Sequence, residues 1–291
     1  MVIVKISHGL GNQLFQYAAA RHLSLIKNTS LYLDTRYYQH DYETDTGRQF
    51  KLDNFPIKYQ LLEKSPLLVY LSKSTKLVPS RSLPPFFQLI SEKNNLYDSR
   101  VEKTNSMFIY LKGFWQSEKY FLEHADRIRK ELSFNFLAHE KTNYYRGLIK
   151  AATNPVSIHV RRGDYVNNPI FNKQYGFVGL EYYYKAIETI KQKTGNCNFF
   201  VFSDDPQWVS ENLHIGTDYT FVNNDGGDGD MADMHLMSLC NHHIIANSSF
   251  SWWGAWLNGR ANKVAISPKE WYQNKPGFVM DDLIPTSWIK I

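Results

Sequence analysis

An alternation of short apolar strands with amphipathic helices constrains this chain more than any other feature. Residues 2–6 (Val-Ile-Val-Lys-Ile) are an apolar run of strand length. A turn holding Gly9 and Gly11 follows, and residues 13–27 then place Leu14, Tyr17, Ala18, His22 and Leu25 at helical spacing. Residues 31–33 return to a strand closed by Asp34. This β-loop-α-β unit predicts an α/β layer fold. A second run of the same kind starts near Pro155. It predicts strands over 156–160, 199–203, 219–222, 243–247 and 263–267. It predicts helices over 180–193, 206–213, 230–241 and 250–259, the last opened by Ser248 and Ser249. Between the runs, 108–112 reads as a strand and 117–133 as a helix capped by Ser117. Residues 55–90 hold five prolines and no sustained period, so short helices and loops are expected there. A length of 291 residues suits two α/β domains, 1–150 and 151–291.

Composition excludes several classes. With 33 Lys and Arg against 28 Asp and Glu, the charge is too mild and too mixed for a nucleic-acid protein, though it allows a local anion site. The 44 aromatic residues (18 Phe, 19 Tyr, 7 Trp) serve a core and can also stack on sugars or bases. Cys197 and Cys240 form no disulfide framework and no CxxC pair, which suits a reducing compartment. The opening MVIVKISHGLGNQ lacks a basic leader, and no apolar run reaches spanning length. A cytoplasmic protein is expected. The basic stretch with Lys58, Lys64, Lys73, Lys76 and Arg81 reads as a solvated face or as a peripheral contact with anionic lipid at the inner membrane.

Four segments carry chemistry. Gly9-Leu10-Gly11-Asn12-Gln13 joins strand to helix, where backbone N–H groups can meet an anion; it also reads as a tight turn. A dinucleotide fingerprint would need glycine at position 14, which is Leu14. His159-Val160-Arg161-Arg162-Gly163-Asp164 sits at the end of a strand, where α/β sheets bind ligands, and its guanidinium groups suit phosphate oxygens. The arginines could equally be salt-bridged to Asp164 in solvent. Asp204-Asp205-Pro206 could hold a ligand or cap the next helix, with Asp204 leaning to ligand and Asp205 open between the two. Asn247-Ser248-Ser249-Phe250 opens a Trp-rich helix and combines hydroxyls with helix N–H donors, a phosphate cradle or a plain cap. Asp228-Gly229-Asp230 has the D-x-D pattern of metal-dependent sugar transferases, but its Gly-rich setting reads as a loop. His235, His242 and His243 lack zinc spacing, and no P-loop is present.

Taken together, these segments resemble the bacterial α-1,2-fucosyltransferases of glycosyltransferase family 11. The likeness runs through GLGNQLFQYA (9–18), GFWQSEKYF (113–121), HVRRGDY (159–165) and FSDD (202–205). It continues through DMxLMS (233–238), IANSSFSWW (245–253) and PKxW (268–271). His8 departs from it, since many relatives carry glycine there. The resemblance implies two Rossmann-like domains facing a cleft, the GT-B type, with acceptor mainly on 1–150 and donor on 151–291. It implies GDP-L-fucose as donor, the 2-hydroxyl of a terminal β-galactoside as acceptor, inversion of configuration, and no metal or other cofactor. It maps Arg161 to the β-phosphate, Asp233 to guanine, and Ser249 with Ser248 to phosphate. Gly11, Asn12, His159, Arg162, Asp204 and Phe250 complete the expected donor contacts, and Asp164 is the candidate base or an orienter of Arg161 and Arg162. The readings left beside it are a metal-dependent nucleotide-sugar transferase and a non-catalytic carbohydrate-binding protein.

Overall fold

A computed structural model describes residues 1–40, 47–77, 86–134, 139–216, 218–224, 229–273 and 281–291. The chain divides into two compact units, Met1–Ser133 with Gly277–Pro285, and Phe134–Pro276 with Thr286–Ile291.

The first unit is built on β1 (Val2–Lys5), α1 (Leu10–Ile26), β2 (Leu31–Asp34), β3 (Gln60–Leu61), α2 (Pro66–Leu77), β4 (Phe87–Ser91), α3 (Arg100–Lys103), β5 (Phe108–Lys112) and α4 (Ala125–Glu131). Among the described residues its five strands are all parallel, in the order β3-β2-β1-β5-β4. Val2, Ile3 and Val4 are all fully buried, as a central parallel strand covered on both faces requires. On α1, Leu14, Phe15, Tyr17, Ala18 and Leu23 are buried, so the helix hides more than one stripe. Each fully buried Leu, Ile or Phe of this kind stabilises by about 1.5–3 kcal/mol.

The second unit holds α5 (Glu140–Ala151), β6 (Pro155–Val160), α6 (Gly163–Asn167), α7 (Pro169–Gln174), α8 (Leu180–Thr194), β7 (Asn198–Ser203) and α9 (Pro206–Asn212). It continues with β8 (Tyr219–Phe221), α10 (Gly229–Leu239), β9 (His242–Ile244), α11 (Ser249–Leu257), β10 (Ala265–Ser267) and β11 (Ile289–Lys290). Among the described residues six parallel strands run in the order β11-β10-β9-β6-β7-β8. All six residues of β6 are buried. Ile158 pairs with Val201 on one side and Ile244 on the other. Gly254 has a structural reason: a Cβ there would stand 3.0 Å from the Cβ of Met237, so glycine lets α11 lie close on α10.

Four expectations need correction. The helix expected over 117–133 is broken into 3₁₀ turns at Glu118–Tyr120 and Leu122–His124 before α4 begins. Ser117 does cap the first turn, its Oγ accepting from the Lys119 N–H at 3.3 Å. Tyr120 and Phe121, within this broken stretch, are both buried. The strand expected to reach 247 stops at Ile244. In the stretch 55–90 helix α2 fits the expected short helices, but the strands β3 and β4 were not expected there. The units divide between Ser133 and Phe134, and α5, read from sequence almost wholly with the first half, belongs to the second. The reason is its packing against α10. Among the described residues, no helix is long and apolar enough to cross a membrane. Arg81 and Asp228 lie outside the described residues, as do the side chains of Lys73 and Lys76.

Candidate active site

In an open parallel sheet, ligands gather outside the strand carboxyl ends where the strand order reverses. In the second unit that reversal falls at β6, which is flanked by β7 and β9. Arg161 stands three residues beyond Ile158, and Asn247 three residues beyond its register partner Ile244. Both therefore leave the same edge of the sheet at the same level. Tyr165 links the two loops: its hydroxyl donates to the Asn247 carbonyl at 3.1 Å, and its ring lies 5.4 Å from the Arg161 guanidinium.

Arg161 is clamped. Its Nη2 donates to Asp164 Oδ1 at 2.6 Å, and its Nη1 lies 3.1 Å from Asp204 Oδ2. Burial would favour the neutral form of Arg161, but Asp204 and Asp164 more than offset this and hold it charged. These two contacts use two of the five N–H donors of the guanidinium. Asp204 also accepts from the Arg162 backbone N–H at 2.8 Å. Gly163 makes that approach feasible, because a Cβ there would stand 2.3 Å from Asp204 Oδ2.

Arg162 points into different company. Its guanidinium lies 3.5 Å from the centre of the Trp208 ring, and its Nε donates to Asp205 Oδ2 at 3.1 Å. Asp205 also caps α9, accepting from the Trp208 N–H at 3.4 Å. His159 is buried with its ring 5.5 Å from that of Phe250. Burial, then the charge of Arg161, pushes the His159 imidazole down to about 3, so it is neutral at ordinary pH.

On the neighbouring loop, Asn247 braces the backbone: its Nδ2 donates to the carbonyls of Tyr175, Gly176 and Trp271 at 3.1–3.2 Å. Ser248 is the N-cap of α11, with Oγ accepting from the Phe250 N–H at 3.3 Å. Ser249 is the first helical residue. The first turn of any helix carries N–H groups with no carbonyl partner within the helix and a positive dipole end. This edge therefore presents one charge-locked guanidinium beside a capped helix start, an arrangement suited to phosphate oxygens.

A family model described as glycosyl transferase family 11 matches residues 87–291. The chain belongs to that family. Among its relatives, an α-1,2-colitosyltransferase of Escherichia coli is 34% identical over all of this chain and 99% of its own length. The O-antigen biosynthesis glycosyltransferase WbnK of the same organism is 35% identical over 98% of this chain and 99% of its own. Mouse galactoside α-(1,2)-fucosyltransferase 1 is 29% identical over 61% of this chain and 48% of its own length. A point mutant of Arabidopsis thaliana FUT1 in complex with GDP superposes with a TM-score of 0.53, covering 91% of this chain and 69% of that one, at 15% identity. The two α/β units with parallel sheets thus have the GT-B type of fold.

In this family 11 chain, Asp233 sits near the start of α10. That helix leads into β9, so its N-terminal end lies at the same sheet edge as Arg161. Burial, reinforced by Asp230, pushes the Asp233 carboxyl up to about 7 against the lowering effect of an Asn224 hydrogen bond. That bond is 2.7 Å from Asn224 Nδ2 to Asp233 Oδ1. Gly229 and Asp230 belong to the first turn of α10. The structure thus brings His159, Arg161, Arg162, Asp164, Asp204, Asp233, Ser248, Ser249 and Phe250 into one unit. Gly11 and Asn12 belong to the other, in the first turn of α1, where Asn12 Oδ1 accepts from Gln116 Nε2 at 2.7 Å.

Several residues of consequence were missed. Gln13 and Gln16 are buried in α1 and act as braces: Gln13 reaches the backbone of His8, Gln49 and Lys51, and Gln16 that of Ser7 and Gly113. Two glutamines on an otherwise apolar face were the available signal. His8 has φ of 66°, a left-handed conformation that favours glycine. Its carbonyl accepts from Tyr38 and Gln13, and its ring stacks on Tyr37 at 5.0 Å. Asn224 had no local signal.

Proposed function

We propose that this chain transfers L-fucose from GDP-L-fucose to the 2-hydroxyl of a terminal β-galactoside, making an α-1,2 linkage in bacterial surface glycan (O-antigen) synthesis. One observation carries the reading: Arg161, locked by two carboxylates, stands level with the capped start of α11 at the switch point of the donor-type sheet. Breaking the fucose C1–O bond leaves added negative charge on the β-phosphate. Arg161 and the first-turn N–H groups and hydroxyls of Ser248 and Ser249 would take that charge without reorganising. Asp233 would accept from the guanine N1–H and amino group. Phe250, half-buried beside His159, would offer an apolar wall for the 6-deoxy carbon of the sugar.

Asp164 is committed to Arg161 at 2.6 Å, which favours an orienting role over that of a base. Asp204 has the same role from the other side, and Arg162 stiffens the loop through Trp208 and Asp205. We assign the acceptor mainly to the first unit, where Gly11 and Asn12 open α1. The transfer would invert configuration by direct attack of the acceptor hydroxyl and would draw its counter-charge from the protein rather than from a divalent ion. A cytoplasmic location fits two buried free cysteines, Cys197 and Cys240.

The experiment is a galactoside screen with GDP-fucose in EDTA, followed by linkage analysis. The expected product carries fucose α-1,2-linked to galactose. No product from any β-galactoside, with another nucleotide sugar consumed, would overturn the reading, and a strict Mn²⁺ or Mg²⁺ requirement would favour the metal-dependent alternative. Binding of glycan without affinity for GDP would favour a non-catalytic role. A second donor has a specific observation behind it, since the 34% identical relative is named for colitose, which is fucose without its 3-hydroxyl. A site that hydrogen-bonds that hydroxyl discriminates by roughly 10⁴-fold or more, so the ratio of kcat/KM for the two donors separates them.

A further inference from the structure

We propose that His22, Glu123 and His124 form a binding site for a divalent transition-metal ion of zinc-like softness. The three residues meet in the first unit, on α1 and the 3₁₀ turn Leu122–His124, and the inference is independent of the transfer reaction. Each offers one ligand atom, and all three atoms lie within 4.8 Å of one another. The Nδ1 atoms of His22 and His124 face each other at 2.9 Å although the residues are 102 apart in sequence. In a tetrahedral site with bonds of about 2.0–2.1 Å, ligand atoms stand roughly 3.4 Å apart. The imidazoles need to part by only about half an ångström to admit an ion.

The surroundings supply what such a site needs behind its ligands. On the far side of the His22 ring, Nε2 lies 3.7 Å from Glu102 Oε1 and has no hydrogen-bond partner among the described residues. The same Glu102 oxygen is held by the Tyr97 hydroxyl at 2.9 Å. A fixed carboxylate there favours the tautomer with the proton on Nε2, which leaves the Nδ1 lone pair facing inward. Without an ion, the His124 Nδ1–H donates to it. With an ion, His124 carries its proton on Nε2 instead, and both Nδ1 atoms coordinate. Exposed Glu123 supplies the anionic oxygen, and water completes the fourth position.

The test is zinc chloride titrated calorimetrically into the metal-stripped full chain, with cobalt(II) visible absorption reporting geometry. Wild type should bind one equivalent with a four-coordinate cobalt spectrum. His124→Ala and Glu123→Gln, both changes at the surface side of the site, should weaken that equivalent at least tenfold while leaving the fold intact by circular dichroism. Glu102→Gln should weaken it about 10–100-fold through His22. No saturable uptake by wild type, or equal uptake by wild type and His124→Ala, would overturn the site and leave a plain hydrogen-bonded histidine pair.

Discussion

Replacing Gly163 with alanine tests the Arg161 clamp without touching a charged group. The new Cβ would stand 2.3 Å from Asp204 Oδ2 and 3.1 Å from its Cγ, whereas ordinary contact begins near 3.4 Å. The carboxylate must therefore withdraw by about 1 Å, on the scale at which hydrogen-bond geometry fails. It would lose its 3.1 Å contact with Arg161 Nη1 and strain its 2.8 Å bond from the Arg162 N–H. A charge-assisted bond contributes about 1.5–3 kcal/mol, and the better helix propensity of alanine returns up to about 1 kcal/mol, since Gly163 is the first residue of α6. GDP affinity should fall by roughly 10- to 100-fold as Arg161 loses one of its two anchors, with a melting temperature near that of the wild type. Titration calorimetry with GDP and thermal unfolding read the two quantities. Asp204→Asn removes the charge without the steric clash and should move GDP affinity in the same direction. A folded Gly163→Ala protein with unchanged GDP affinity would refute the clamp.

Arg161→Ala should lower kcat by about 10²–10³-fold with folding intact, as for a lost transition-state donor, and Arg161→Lys should recover little because the ammonium cannot span Asp164 and Asp204 together. The raised Asp233 pKa, about 7 against 3.8, gives a pH signature. The folded chain binds that proton more tightly than the unfolded one, so the unliganded protein loses stability as pH rises from about 4 to 7. Guanine needs the ionised carboxylate, so GDP affinity should fall by up to about tenfold per pH unit below 7, and Asp233→Asn should bind weakly with that slope gone. Trp208→Ala removes the ring 3.5 Å from Arg162 and should cost about 0.5–2 kcal/mol of stability, measured by denaturant unfolding, with a smaller effect on kcat than Arg161→Ala.

The regular part of the fold was legible because it is written in local periodicity. The strands at 2–6, 108–112 and 156–160 are apolar runs between turn residues, and they appear in the structure within a residue or so of the expected bounds. Where burial rather than period decides, the reading failed. The stretch expected as one helix over 117–133 is two 3₁₀ turns followed by α4, and β3, of two residues, is defined by its pairing with β2. Residue types that carry charge at a strand end announced the candidate site, but not the division of labour within it. Arg161 and Arg162 are indistinguishable in sequence. The positions of Asp204, Asp205 and Trp208, set by β7 and α9, send one guanidinium to the sheet edge and the other onto an indole ring. The His22–His124 contact was illegible for a similar reason, since the ligands come together only through packing.

The central claim is that a pyrophosphate is held by a guanidinium and a serine-opened helix within one unit. A crystal structure of the chain with GDP tests it most directly. The account predicts β-phosphate oxygens within hydrogen-bonding distance of Arg161 and of the backbone N–H and hydroxyl of Ser249, with guanine against Asp233. A nucleotide bound with its phosphates away from Arg161 and α11, or bound only through a divalent ion, would contradict it.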